Sequence, residues 1–541
     1  MVQEELNGKV FYGGPIITVN ENQPIIEAVG IKDEKIMAIG TLEDVKAKMR
    51  TNFDMINLKG NCLLPGFIES HMHLIHLMSS LVNVDLSSVE SLMELQNILI
   101  DAAAKKTPDE LIYGFSLKEE QFDKPILPIR TDLDVCPNPV FIMRYDGHIG
   151  IVNSKALDLV GINVTTIVPE GGEIRRDDEG ELTGVISENA LDLVFSVATR
   201  YLIPKGEDVK KTAIKASNFL AEKGITSIHS VFAYKNNGEG GLGDVEIPLY
   251  KAVQELILQN CYALVNTSKP KKLTRLKKSS LDGGQVDSKF KINTLKLFLD
   301  GSFGAKTACM WEPFSDAHDM SGFCTTEEDV IYDKMKIAHN LGFQIVIHAI
   351  GDKANRIAVN LYKKLLNEFP KEDHRHRIEH ASMLTEDVIK DMKEFGIIAS
   401  CQPPFINSEY TWLEKRLGKE RCKYTYPMRS ILDGGVMLIS GSDCPIEDPS
   451  PILGLHALVN RNGFVLEQCI TMEEALKTYT INAAYGAFED DVKGSIEVGK
   501  LADLVILDRN PLEIDKDHIK EIQVLETIIR GKSLFKKVER V

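Results

Sequence analysis

Short apolar runs recur through the middle of the chain. "ITSIHSV", "INTLKLFLDG", "FQIVIHAIGD", "HRIEHA", "GIIASCQPP" and "GVMLISGSD" carry little polar–apolar alternation. That is the pattern of strands buried on both faces, as in parallel sheets. Helical stretches separate most of them. In "EDVKKTAIKASNFLAEKG", Val209, Ala213, Ala216, Phe219 and Leu220 fall at helical spacing, and Gly224 follows as a C-terminal cap. Repeated β–α units over this span predict an α/β fold, a TIM-like (β/α)8 barrel within residues 65–487. Residues from about 80 to 205 depart from the repeat and predict a large insertion, with "DELIYGFSL" and "NPVFIMRYDGH" as further strands.

The two ends have a different texture. "KVFYGGPIITV", "IIEAVGIKDEKIMAIG" and "MINLKGNCLLPG" read as short strands broken by turn residues such as Gly13-Gly14 and Asn20-Glu21-Asn22. "GSIEVGKLADLVILD" and "VLETIIRGKSLFKKV" look alike. Together they predict one small β-sandwich domain built from residues 1–64 and 488–541. No internal repeat or low-complexity tract interrupts the chain.

Composition narrows the class. The chain has 541 residues, 43% apolar and 26% charged, which is ordinary for a globular protein. Its formal charge of −16 repels phosphate backbones and argues against a nucleic-acid partner. No apolar segment approaches the roughly 18 residues of a membrane span, and no basic amphipathic helix suggests a membrane surface. The leading "MVQEELNGKVFYGG" lacks the basic start and apolar core of a signal peptide. Nine scattered cysteines, an odd number with no CxxC spacing, fit free thiols in a reducing compartment, so a cytoplasmic location is expected.

In a barrel of this kind the active-site residues sit at the C-terminal ends of strands. His71 and His73 end "LLPGFIESHMH", two apart and therefore on one side of a strand. His348 ends "FQIVIH", His380 ends "HRIEH", and Asp443 ends "GVMLISGSD". A lone histidine at a strand end is usually structural, but several strands delivering donors to one rim form a ligand set. This N/O set suits Zn²⁺ and also Mn²⁺, Fe²⁺ or Ni²⁺. Five donors exceed one closed tetrahedral site, leaving one open site or two adjacent sites. A catalytic metal lowers the pKa of bound water from about 15.7 to about 7, and a carboxylate such as Asp443 beside it can take the proton and pass it to a leaving group. Lys296, between Leu295 and Leu297, has two readings. Its ammonium pairs with Asp300 or reaches out of the barrel, or its neutral amine reacts with CO₂ to give a metal-bridging carbamate.

The motifs "PGFIESHMH", "LKLFLDGS", "IHAIGD", "RIEHA", "GSD" and "GSIEVGKLADLVILD" resemble the amidohydrolase superfamily. More narrowly they are similar to amidohydrolase family 3, which includes N-substituted formamide deformylase. "PVFIMRYDGHIGIVNSKAL" and "GELTGVISENA" in the insertion match as well, so the resemblance covers nearly the whole chain. It implies His71 and His73 on the first strand as ligands of one metal, with Asp443 on the eighth as ligand and as general base then acid. Lys296 on the fourth would be the carboxylated bridge, and His348 and His380 on the fifth and sixth would hold the second metal. Two Zn²⁺ per chain and hydrolysis of a small amide or N-substituted formamide by metal-activated hydroxide follow from it. A homo-oligomer is compatible with it. Alternatives are a mononuclear, deaminase-like member and a non-catalytic regulatory scaffold. Two departures stand: Glu69 where relatives often have Asp, and Gly114-Phe115-Ser116 where many have Gly-Trp-Asp, a segment expected in the substrate pocket.

Several further residues keep two readings. His148 either polarises a substrate carbonyl, a catalytic and substrate-binding role, or ties the insertion to the barrel. His229 either orients substrate or makes a structural hydrogen bond. Glu188 either lines the pocket or starts a helix. Asp352 is expected as a helix N-cap, and Arg377 and Glu379 as an ion pair pointing away from His380. His374 and His376 are expected in solvent.

Overall fold

The computed structural model describes residues 8–50, 52–203, 206–235, 244–278 and 288–538. Residues 1–7, which open the stretch read for a targeting signal, and 204–205, where the insertion was expected to end, lie outside them.

Eight parallel strands form the barrel: β1 (Phe67–Met72), β2 (Ile225–Ala233), β3 (Asn260–Asn266), β4 (Thr294–Phe298), β5 (Gln344–Ala349), β6 (Arg377–His380), β7 (Ile398–Cys401) and β8 (Leu438–Ser440). They pair in chain order, and nearly every residue in them is buried. The ring closes where Asp443 N–H donates to His71 O at 2.7 Å and His73 N–H to Cys444 O at 2.7 Å. Amphipathic helices cover the outside. Asp352–Glu368, for example, turns Ala354, Ile357, Ala358, Leu361, Tyr362 and Leu365 onto the strands. The cap of that helix is Gly351; Asp352 is its first residue and accepts Trp311 N–H at 3.0 Å, so the N-cap expectation shifts by one position.

Both termini feed one eight-stranded sheet. Cys62–Pro65 pairs antiparallel with Leu504–Leu507, joining the N-terminal strands to the C-terminal ones around Phe11, Ile16, Val29, Leu63, Leu504 and Ile528. Gly13-Gly14 does not break the first strand, Gly8–Ile17; the pairing register slips there between Tyr12 and Ile16, which is a bulge. The chain passes from this sheet into β1 through Gly66. A Cβ there would lie 2.2 Å from the Thr226 side chain, so only glycine lets the two elements meet this closely.

The insertion folds as a six-stranded sheet in the order Gly172–Arg176, Leu182–Glu188, Ile149–Val152, Val140–Arg144, Ile112–Leu117 and Val84–Asp85. Arg144 clamps it. Its Nε donates to Glu119 at 2.8 Å, its Nη1 to Asp146 at 2.6 Å, and its Nη2 to Glu120. Asp146 in turn accepts Ser302 Oγ at 2.8 Å from the loop after β4. Among the described residues no helix is long and apolar enough to cross a membrane.

Candidate active site

The C-terminal ends of the strands converge as their positions require. Asp443 Oδ1 lies 3.4 Å from His71 Nε2 and 3.2 Å from His73 Nε2. One donor atom from each of these three residues falls within 4.8 Å of the others. The His380 ring lies 5.2 Å from that of His71 and 4.3 Å from that of His348, centroid to centroid. His380 and Asp443 both adopt left-handed backbone, φ +67° and +64°, which is uncommon outside glycine. This conformation lets a residue at a strand end leave the pleat and turn its side chain over the barrel mouth.

Burial sets the charge states. It holds His73, His348 and His380 below the usual histidine range, so they present neutral imidazoles, the form that binds metal. Burial pushes Asp443 up, but His73 and His71 outweigh it and keep the group ionised. Lys296 is wholly buried, and desolvation lowers its amine to about 8. Its Nζ sits 4.8 Å from the Phe298 ring centroid and has no hydrogen-bond partner among the described residues; nor has Asp443 Oδ1. Asp300 does not pair with the lysine, because its oxygens take the backbone N–H groups of Cys309, Ile350 and Gly351. Neutral imidazoles, an ionised carboxylate and two orphaned buried atoms fit a divalent cation.

Beneath this cluster lies a buried charged network. Glu379 hydrogen-bonds His71 Nδ1, accepts Arg377 Nε at 2.8 Å and takes Ser400 Oγ at 2.9 Å. Arg377 also donates to Ser70 O at 2.8 Å and meets His229 Nδ1 at 3.2 Å. The expected ion pair is present, but it points into the barrel and reaches a proposed ligand. His229 is fully buried against Arg377, away from the pocket wall. Burial, then Arg377, holds it well below the usual range, so it accepts the guanidinium proton as a neutral ring. Glu69 is buried too. It accepts His71 N–H at 2.9 Å and Ser442 N–H at 2.8 Å, tying β1 to the loop after β8.

His374 and His376 are buried, contrary to the solvated expectation. His376 stacks on Tyr362 and accepts Ile345 N–H at 3.0 Å, while His374 Nε2 meets Phe395 O at 2.9 Å.

The insertion supplies the pocket's outer wall. Tyr113, Phe115, Met143, Leu191 and Phe195 give it an apolar face, with Ser116 beside them. His148 and Glu188 also line it, with Nδ1 and Oε2 2.9 Å apart, and the His148 ring lies 5.5 Å from that of His348. Burial alone would discharge His148; Glu188, Asp146 and Asp443 overcome it and raise the ring to about 9. Glu188 ends a strand at φ +53° and starts no helix. One residue passed over in the sequence is His76. Its Nε2 is 3.6 Å from Glu246 Oε1 and its ring 5.3 Å from that of His73. Its spacing of three from His73, at a helix start, was the available signal.

Comparison with known proteins places this arrangement. Residues 54–535 match the amidohydrolase family. The chain is 30% identical to Protein LONG AFTER FAR-RED 3 of Arabidopsis thaliana, over 96% of this chain and 90% of that one. It is 27% identical to the N-substituted formamide deformylase of Arthrobacter pascens, over 95% and 96%. An uncharacterized metal-dependent hydrolase from Pyrococcus horikoshii superposes with a TM-score of 0.74 at 28% identity, covering 94% of this chain and 99% of that one. With a histidine–aspartate cluster at the mouth of an eight-stranded barrel and a family match over most of its length, this chain belongs to the amidohydrolase family and is a metal-dependent hydrolase of carbon–nitrogen bonds.

Proposed function

We propose that the chain hydrolyses a small amide or N-substituted formamide at a binuclear site. His71, His73 and Asp443 would hold one divalent ion, zinc in the first instance, and His348 and His380 a second. Lys296 would bridge them after its neutral amine adds to CO₂, forming an N–C bond and releasing a proton. The orphaned, wholly buried Nζ of Lys296 supports this reading, because a carbamate would give that position ligands to satisfy. When bound, the ions supply a Lewis acid for the substrate carbonyl and a water of lowered pKa.

The chain's own groups handle the rest. Asp443, ionised, takes the proton of the attacking water and returns it to the nitrogen of the departing amine. His148, kept protonated by Glu188, donates to the oxygen on which negative charge develops. The apolar wall of Tyr113, Phe115 and Phe195 receives the substituent on nitrogen. The observation that carries the proposal is Asp443, ionised within 3.4 Å of the imidazoles of His71 and His73 at the pocket floor. Asp443→Asn should keep its metal by elemental analysis yet lose at least about 100-fold in turnover on a panel of N-substituted formamides and amides. Full turnover in that variant would sink the role.

One observation favours a second reading. The donor trio of His71, His73 and Asp443 is a set that one ion can fill. In that case Lys296 stays unmodified and an aminated heterocycle becomes the substrate class to test.

A further inference from the structure

The segment that follows β4 makes a narrow hairpin that the proposed reaction does not use. Met310 N–H donates to Ser321 O at 2.8 Å and Phe323 N–H to Thr307 O at 3.3 Å, so its two sides run together. Gly322, at φ +63°, makes this possible: a Cβ there would sit 1.9 Å from Ala308 O. Across the hairpin, Cys309 and Cys324 face each other with sulfurs 3.0 Å apart. A disulfide bond of about 2.05 Å therefore needs only about 1 Å of approach. Cys309 is buried, whereas Cys324 keeps a solvent-accessible side.

The hairpin is wired to the pocket from both arms. Cys309 N–H donates to Asp300 Oδ2 at 2.9 Å, and the other oxygen of Asp300 takes Ile350 N–H, two residues beyond His348. Cys324 precedes Thr325, a pocket-lining residue whose N–H donates to Leu299 O at 2.8 Å and whose carbonyl accepts Asn189 of the insertion at 3.0 Å.

We propose that Cys309 and Cys324 form a modification site, oxidised by a peroxide to a reversible disulfide that clips this hairpin beside the pocket. Cys324 is the attacking sulfur: it belongs to the less buried residue of the pair, and its contact with the Cys309 sulfur holds its thiol below the ordinary range, against the effect of burial. Its sulfur attacks one oxygen of hydrogen peroxide, the O–O bond breaks, and the expelled hydroxide takes a proton and leaves as water. Cys309 sulfur then attacks the Cys324 sulfenic acid, the S–O bond breaks, and the departing hydroxide takes the Cys309 proton. Two thiols give up two hydrogens and one peroxide becomes two waters. The step is independent of which substrate the barrel takes.

The test treats the reduced full-length chain with hydrogen peroxide and counts thiols after denaturation. The expected count falls from nine to seven, with a mass loss of two hydrogens and one linked peptide pair containing Cys309 and Cys324. Dithiothreitol should restore nine, and the oxidised form should melt at a higher temperature than the reduced one. Cys324→Ser should begin at eight and remain there under the same treatment. A wild-type count that stays at nine, loss that maps to other cysteines, or Cys324 ending as a sulfinic acid with Cys309 free would each overturn the proposal.

Discussion

His71 is held from below by Glu379, whose carboxylate is itself fixed by Arg377 and Ser400. A carboxylate on the far ring nitrogen of a metal-binding histidine sets its tautomer and raises its basicity. Glu379→Gln keeps the shape and removes the charge, so metal affinity should fall about 10- to 100-fold in competition with a chromophoric chelator. Unchanged affinity would make Glu379 a purely structural partner of Arg377. The i, i+2 spacing made His71 and His73 legible as a pair in the sequence. Strand alternation failed for Glu379, because His380 and Ala381 leave the pleat at φ +67° and +44°, and alternation holds only inside a regular strand. His374 and His376 misled for a related reason: a histidine looks the same in sequence whether water or Tyr362 covers its ring.

At the scale of elements, the insertion depends on one buried cation. The Arg144 side chain is 1% exposed and faces Glu119, Glu120 and Asp146. Arg144→Met would leave the buried Asp146 without a counter-charge, a cost of about 3 kcal/mol, with the half-buried Glu119 and Glu120 losing less. It should lower the thermal midpoint followed by circular dichroism; a midpoint equal to wild type would show that the clamp carries no net stability. The helix Pro404–Glu409 gives a pH-dependent case at its C-terminal end. Burial raises Glu409 from 4.5 to about 8 while its carboxyl accepts Tyr426 Oη at 2.6 Å. The folded chain therefore keeps a proton that the unfolded chain loses above 4.5, and stability drains as pH rises from there to about 8. Glu409→Gln retains an acceptor and removes this titration. It should match wild type in thermal midpoint at pH 5 and exceed it at pH 8.5, both by scanning calorimetry; parallel pH profiles would contradict the assignment. The β–α repeat was legible because buried parallel strands are continuous apolar runs. Arg144's partners were not, since Glu119 and Glu120 reach it through a turn whose direction no periodicity encodes.

Over the whole molecule the β domain and the site occupy opposite ends of the barrel. The terminal sheet grips the N-terminal side: Gly66 N–H meets Asp503 O at 2.8 Å before β1, Asn260 at the start of β3 donates to Asp503 at 3.0 Å, and Thr527 Oγ1 to Ala221 O at 2.6 Å. The proposed metal donors gather at the C-terminal side, roofed by the insertion. Strand-rich ends could be read from the sequence as one domain, but the pairing of Cys62–Pro65 with Leu504–Leu507 could not, because local patterns carry no register between distant segments. The central claim is a binuclear site bridged by Lys296. Its most direct test is elemental analysis of metal per chain, beside intact mass recorded gently in bicarbonate. The account predicts about two divalent ions per chain and a labile mass increment of one CO₂ that Lys296→Ala lacks. One ion per chain with Lys296 unmodified would contradict it and leave the His71–His73–Asp443 trio as a mononuclear centre.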